Sequence, residues 1–448
     1  MGARGTLKKA ILAIFAVLAV AGPAAADDLC TLGLGQALDE LDAKNFALAE
    51  ARSRVAQARA LVGQASSPLL PQVVAAGGYA RNSDEAKVAI GNLFQAIGQS
   101  PPPGFPGTLY IQPLGAWTVS GSVKVPLLAP SAWADRAAAQ RGDEAAVATA
   151  AAIRLQLRSV LVQAAWAASA AEEIVAASER AMQTAEEHRQ MSARMVAAGE
   201  AAALSMLKAD TELVKRQSDL VRARAELERS RLALGVLLGR SEPVRVLPGT
   251  APTSAAAAAS EAMVAEALGQ RPELQADAAR IRVADAETLS ARLRLLPQLS
   301  GSATLFASDM PYPTGKKNGW RLTLDATWPL FDGGYRSSKR AQAEAEGEGA
   351  RASAQGQRLA IAQEVADAVR DVGVAAERVR LAERQCAFAA EAAASAKRTF
   401  EAGVAGSLDV LDANDRLYQA DVALADARGR LGVAHAGLAK ALGRDVAR

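Results

Sequence analysis

The chain offers few residues able to make or break bonds. Its only histidines, His188 and His435, fall within helical patterns, and neither has a cysteine or second histidine at metal-ligand spacing. No serine-nucleophile motif, glycine-rich phosphate loop or convergent acid pair accompanies them, so the sequence argues against an enzyme and implies no cofactor. Most acidic residues lie beside Lys and Arg at exposed helical positions, where they form solvated faces. The exception is AGVAGSLDVLDAN, Ala402 to Asn414, where Asp409 and Asp412 follow Gly403, Gly406 and Ser407. Their chemistry is electrostatic. Carboxylates in the first turns of a helix are stabilised by its positive end and cap its free N–H groups. Set in a narrow aqueous path, the same charges select ions by sign.

A weaker copy of that stretch, AGEAAALSMLKAD, runs from Ala198 to Asp210, with Gly199 about 204 positions before Gly403. The register persists: LLGR at Leu237 to Arg240 answers ALGR at Ala441 to Arg444, and LLPQV at Leu69 to Val73 answers LLPQL at Leu295 to Leu299. One unit therefore occurs twice. Each copy interrupts a long Ala-rich helical pattern with glycine and resumes it within a few residues, as a helical hairpin does at its tip. The implied division is a signal peptide at 1–26, a first repeat at 27–241, a linker at 242–260 and a second repeat at 261–448.

The signal reading rests on Arg4, Lys8 and Lys9, the apolar run Ala10 to Ala21 and the small residues before Asp27. No later run of about 18 apolar residues stands out, so the sequence predicts export of the whole mature chain. Cys30 and Cys386 then sit in an oxidising compartment, where a disulfide or two small buried thiols are the alternatives. A formal charge of +3 with interspersed signs, and only 4% aromatic residues, exclude a nucleic-acid surface.

Two periodicities position the tips. Leu32 to about Gln64 and Met263 to about Leu296 each read as one helix, and each is followed by paired alternating runs. Val73, Ala75, Gly77 and Tyr79 share a face, as do Trp117, Val119, Gly121, Val123 and Val125, then Leu299, Gly301, Ala303 and Leu305, then Trp320, Leu322, Leu324, Ala326 and Trp328. Runs of about ten residues ending in Trp fit tilted transmembrane strands with indoles at the headgroups, although a soluble sheet with one wet face shares the period. Four strands cannot close a barrel and lipid tolerates no open edge, so the membrane reading requires several chains. The connection Asn82 to Ala116 reads as irregular. After Pro126 and Pro329 the helical period lasts roughly 65 residues to each tip, with seams predicted at Ile153, Leu157, Val160, Ala164, Ala167, Ala171 and Ile174, and at Val365, Val369, Val372, Ala376 and Val379. Trp133 and Trp166 fall on these helices as packing residues.

In this order, the hairpins, strand pairs, signal and tip motif resemble the TolC-type outer-membrane efflux channel family over nearly the whole mature chain. The resemblance implies a mainly α fold with a small β part: duplicated coiled-coil hairpins forming a periplasmic α-barrel, plus four strands per chain given to a trimeric transmembrane β-barrel. It also implies a homotrimer seated in outer-membrane lipid and extending into the periplasm. Its partners would be a periplasmic adaptor and an inner-membrane pump, with no nucleic acid. The chain would be the exit duct of a tripartite export system, with drug, metal and protein cargo all open. Three tips brought to one axis would set Asp409 and Asp412 in rings at the periplasmic entrance. In the family a Tyr, an Arg and a first-repeat Asp hold that entrance shut; here those positions are Phe400, Ala405 and Ser205, so the polar links are lost. Lys208, which answers Asp412 across the repeat, is the candidate substitute. A periplasmic coiled-coil adaptor or scaffold is the alternative, sharing the hairpins without needing lipid-facing strands.

Overall fold

A computed structural model describes residues 30–444 except 91–93, 95, 99, 101–107, 200, 201, 250–260 and 311–315; the expected signal at 1–26 lies outside the described residues. β1 (Thr31–Gly33) is followed by α1 (Leu34–Lys44) and α2 (Phe46–Ser66). The predicted single helix is thus broken, and Asn45 is the reason. Its side-chain oxygen accepts from the N–H groups of Ala47 (2.9 Å) and Leu48 (3.1 Å), while its amide donates to the Leu237 carbonyl (2.8 Å). Capping two free N–H groups and tying down a distant helix end outweighs helical continuity.

Next come β2 (Gln72–Arg81), β3 (Ala86–Val88), β4 (Leu109–Gln112) and β5 (Gly115–Leu128). β3 pairs antiparallel with β4, so the connection expected to be irregular carries a short ladder. β5 runs through Pro126 with a register shift before Leu128, a break in pairing that accommodates a residue without an N–H. α3 (Pro130–Ala197) and α4 (Ala203–Leu237) form the first hairpin. β6 (Arg245–Leu247) lies in the segment expected as linker, and pairs in parallel with β1.

The second repeat supplies α5 (Glu261–Gln270), α6 (Pro272–Leu293), β7 (Gln298–Ser308), β8 (Asn318–Thr327), α7 (Tyr335–Glu401) and α8 (Ser407–Ala441). Its first helix is also broken, at Arg271 before Pro272, where the guanidinium bonds Glu273 at 2.9 Å and reaches Glu364. α3 and α7 have 68 and 67 residues, on the order of 100 Å each.

α3 packs along both α4 and α8, and α8 along α7, while α4 barely touches α8; the four helices form one layer in the order α4–α3–α8–α7. α2 and α6 flank the strand-proximal half of α3, and α6 also runs along α7. A core of Leu38, Leu41, Leu161, Val162, Leu234 and Val244 closes the first repeat near its helix break, and Ile361, Val365 and Leu442 close the second. Val365, Val369 and Val372 are buried as the spacing predicts, with Ala375 in place of Ala376. In α3 the predicted stripe is mostly half-buried and Ala167 is exposed, because neighbours on two sides rotate the buried face onto Leu161, Ala165 and Ala168. Trp166 packs as expected, against Gly432, where an added Cβ would run into the indole ring. Trp133 does not: it is exposed where α3 leaves the sheet. An 18-residue window of α3 reaches a mean hydropathy of 1.4, enough by composition to cross a membrane, contrary to the sequence expectation. Alanine supplies that apolarity, and α3 is occupied by helix neighbours along its length.

Cys30 and Cys386 are both free. The Cys386 thiol donates to Asp421 (3.0 Å) and is pushed up to about 11 by that carboxylate and by burial; Cys30 accepts from Arg240 (3.3 Å) at the other end of the hairpins.

The candidate functional site: strand sheet and hairpin tips

The long strands form one antiparallel sheet in the order β2–β5–β7–β8. Residues opposite each other share a face, and the registers keep that face apolar throughout. Val73 opposes Val123, which opposes Ala303, which opposes Leu322; Tyr79 opposes Trp117, and Leu305 opposes Trp320. The other face is polar over β5, β7 and β8 apart from Phe306, with Ser122, Thr304 and Arg321 in line and Ser302 bonded to Thr323, while β2 brings Val74 and Ala76 to it. Apolar residues of the sheet stand exposed, and β2 and β8 are unpaired edges. The indoles form two belts. Trp117 and Trp320 sit at the loop end; Trp328, just past β8 with its indole N–H on the Leu295 carbonyl (3.1 Å), sits at the helix end with exposed Trp133, Phe331 and Tyr335. Trp328 lies eight positions after Trp320, about 27 Å along the chain, which at a strand tilt of about 40° is about 20 Å of height, close to that of an apolar band about 25 Å tall.

At the far end, Gly199 (φ 77°) and Gly403 (φ 74°) take the left-handed conformation that ends α3 and α7. In the second tip the N–H of Gly403 bonds the Phe400 carbonyl (2.9 Å), and those of Val404 and Ala405 bond the Thr399 carbonyl. Gly406 is the N-cap of α8, and the Asp409 carboxylate accepts its N–H at 2.9 Å. Asp409 therefore has the capping role. Asp412, also exposed, pairs within the subunit with Arg416 one turn on (2.9 Å) rather than with Lys208, which is exposed on α4. Ser205 and Ala405 are half-buried and Phe400 is buried.

What meets Phe400 escaped the sequence reading. The buried His188 ring on α3 lies 5.2 Å from it, and its Nε2 is 3.0 Å from the Ser407 hydroxyl. Burial pushes the imidazole below its ordinary value, and the N-terminus of α8 beside it adds positive potential.

Further links tie one hairpin to the other. Asp415 of α8 accepts from Lys215 (2.7 Å) and Arg216 of α4; Ser178 bonds Tyr418 (3.2 Å); Arg180 bonds Asp421 (3.1 Å); Lys397 reaches Glu187 (3.5 Å). Arg216 is buried, stacks over Tyr418 at 4.5 Å, and keeps Glu212 (2.6 Å) and Asp219 (3.3 Å) on its own helix. Burial works against charge on both Arg216 and Asp415, yet their ionic partners prevail: Asp415 and Glu212 raise the guanidinium, and Lys215 and then Arg216 lower the carboxyl. Among the described residues no group of three or more His, Cys, Asp or Glu is placed to hold a metal ion.

An open-edged sheet with two aromatic belts, joined to paired hairpins on the order of 100 Å long, defines a subunit of a helical barrel continued by a β-barrel. The sequence matches the family described as Outer membrane efflux protein over residues 37–240 and 263–444, and the chain belongs to that family. Outer membrane protein OprJ of Pseudomonas aeruginosa is 26% identical over 185 residues, 40% of this chain and 38% of OprJ, so that match spans well under half of the relative. The fold resembles that of CusC (TM-score 0.77, 17% identity, 92% of each chain). It also resembles the open state of the MtrE outer membrane channel of Neisseria gonorrhoeae (TM-score 0.74, 21% identity, 92% of this chain and 89% of that one). The chain is accordingly an outer-membrane protein reaching into the periplasm, and the adaptor alternative falls.

Proposed function

We propose that three copies of this chain close into one tube that conducts solutes passively from the periplasmic tips through the outer membrane. The observation that carries this is the coincidence of open edges. The sheet ends in unpaired β2 and β8, and the helical layer ends in α4 and α7, each edge different from its opposite. Unlike edges joined head to tail generate a ring. The helical edges are also matched in height. Val214 and Val221 lie about 15 and 22 positions after Gly199, while Phe388 and Leu381 lie about 15 and 22 before Gly403. All four are exposed in the single subunit. Facing α4 to a neighbour's α7 covers them.

In this reading the apolar sheet face meets lipid, Trp117, Trp320 and Trp328 mark its borders, and Asp409 and Asp412 stand at the periplasmic mouth. A periplasmic adaptor docks at the turns of Gly199 and Gly403, and an inner-membrane pump supplies the energy and chooses the cargo. The entrance is held by the ties from Arg216, Tyr418 and His188 instead of the links lost at Phe400, Ala405 and Ser205, with Lys208 free to act between subunits.

The test is cysteine crosslinking. With Cys30 and Cys386 replaced by Ser, the pair Val221→Cys and Leu381→Cys should oxidise to covalent dimers and trimers. Monomers alone, from a protein that still extracts with the outer membrane, would refute the α4–α7 closure.

A further inference from the structure

The family resemblance would set two carboxylates at the entrance, where their charge favours cations. The structure places a positive counterpart beside each, a helix N-terminus worth about half a charge for Asp409 and a guanidinium for Asp412. Asp409 spends its carboxylate on the Gly406 N–H at the positive end of α8. Asp412 holds Arg416 at 2.9 Å. The pattern then repeats along one face. Leu408, Asp412, Arg416, Gln419, Ala423, Asp426 and Arg430 step by four, four, three, four, three and four, and all are exposed in the subunit. Asp426 holds Arg430 at 2.6 Å, so each of these acids is followed one turn on by its own base. Where the face runs into the groove between α7 and α8, Arg378, Arg430 and Lys440 line it together with Glu364, Asp367 and Asp371. Three bases meet three acids, and the balance is kept.

We infer that Arg416 sets the charge selectivity of the entrance: its ring lies one turn inside the Asp412 ring and cancels that field, so that anionic and cationic solutes enter alike. This rests on the reading above that the exposed face of α8 lines the path. An exposed pair of this kind contributes little to helix stability. In a narrow path its two rings act on a passing ion, and there their signs oppose.

The test uses the full mature chain in planar bilayers under a potassium chloride gradient, reading the potassium-to-chloride permeability ratio. The native ratio should lie near one. Arg416→Gln should raise it roughly four- to seventyfold, the range between screened and unscreened rings of three unit charges about 10 Å from the axis in water, since the ring acts with opposite sign on the two ions. Asp412→Asn should lower it by a similar factor, the double variant should return close to native, and Arg416→Lys should match native, which separates charge from any disturbance of folding. A native ratio already strongly favouring potassium, and unmoved by Arg416→Gln while Asp412→Asn lowers it, would overturn the role of Arg416 and leave the lining of the path by α8 standing. No change in either variant would overturn both.

Discussion

Asp415→Asn tests how the entrance is held. Asp415 is the only carboxylate that α8 offers to Arg216 and Lys215, and Gln419 steadies its other oxygen at 2.6 Å. Asparagine keeps the shape and removes the charge. The loss is confined to the tie, because Arg216, with 3% of its side chain exposed, retains Glu212 and Asp219. The cost of about 3–5 kcal/mol for stranding a buried charge therefore does not apply. What disappears is one hydrogen bond between charged groups, about 1.5–3 kcal/mol, and an exposed Lys215 pair worth about 0–1 kcal/mol. Roughly 2 kcal/mol per subunit shifts a closed-to-open equilibrium about 30-fold, and subunits opening together multiply that factor.

Resting conductance of single channels in planar bilayers should therefore rise sharply in Asp415→Asn, with Arg216→Gln doing the same and the double variant adding little. The pH dependence has a defined sign. The Asp415 carboxyl is lowered below its ordinary value of 3.8, so the tie is complete above that pH and lost as pH falls through the lowered value. Native conductance should climb only below about pH 4, whereas the Asn variant should already be high and stay flat in that range. An assembled, membrane-inserted variant with native resting conductance would show that this tie does not hold the hairpins together, leaving closure to apolar packing around Phe400.

Two other predictions concern the contacts of α3 with the second hairpin. His188 is lowered from 6.5 by burial, and the charged groups lining the cleft beside it are Glu187 and Arg194 of its own helix and Lys397 and Glu401 of α7, while α8 adds uncharged Val410 and Asn414. A neutral histidine favours the docked tip above pH 6.5, and that contribution fades as pH falls below it. Protease protection of the second tip should weaken from pH 7 to pH 5 in the native chain and be insensitive to pH in His188→Gln; parallel profiles would exclude His188 as the cause. Gly432→Ala drives a methyl into Trp166, so thermal unfolding should shift downward by an overpacking cost of about 1–3 kcal/mol, and an unchanged midpoint would show that α8 can withdraw from α3 without penalty.

The strands and the duplication were legible because both are written as local periods. Alternation over ten residues needs no tertiary information, and a register that pairs Leu305 with Trp320 keeps it in phase between strands. The helix breaks were partly legible: Pro272 is an open signal, whereas Asn45 caps only because Leu237, far off in sequence, presents a carbonyl to its amide. The α3 seam was misplaced for a physical reason. In an Ala-rich helix every face is nearly equally able to pack, so the neighbours decide which is buried, and α3 has neighbours on more than one side.

The entrance shows the same limit more sharply. Asp409 and Asp412 could be named from the sequence because their motif is local, and the capping role of Asp409 follows from its place after Gly406. The partners that decide what those charges do are of two kinds. Arg416 is one helical turn away and was available to the same reasoning, since an acid followed four positions later by a base is a recognised helical pair. His188 and Ser407, or Arg216 and Asp415, are some 200 positions apart and meet only because α3 and α4 are laid beside α8. No period encodes that meeting. The two hairpins are copies of one unit, but their contact joins unlike faces, so the duplication that organises the fold carries no information about the ties between them.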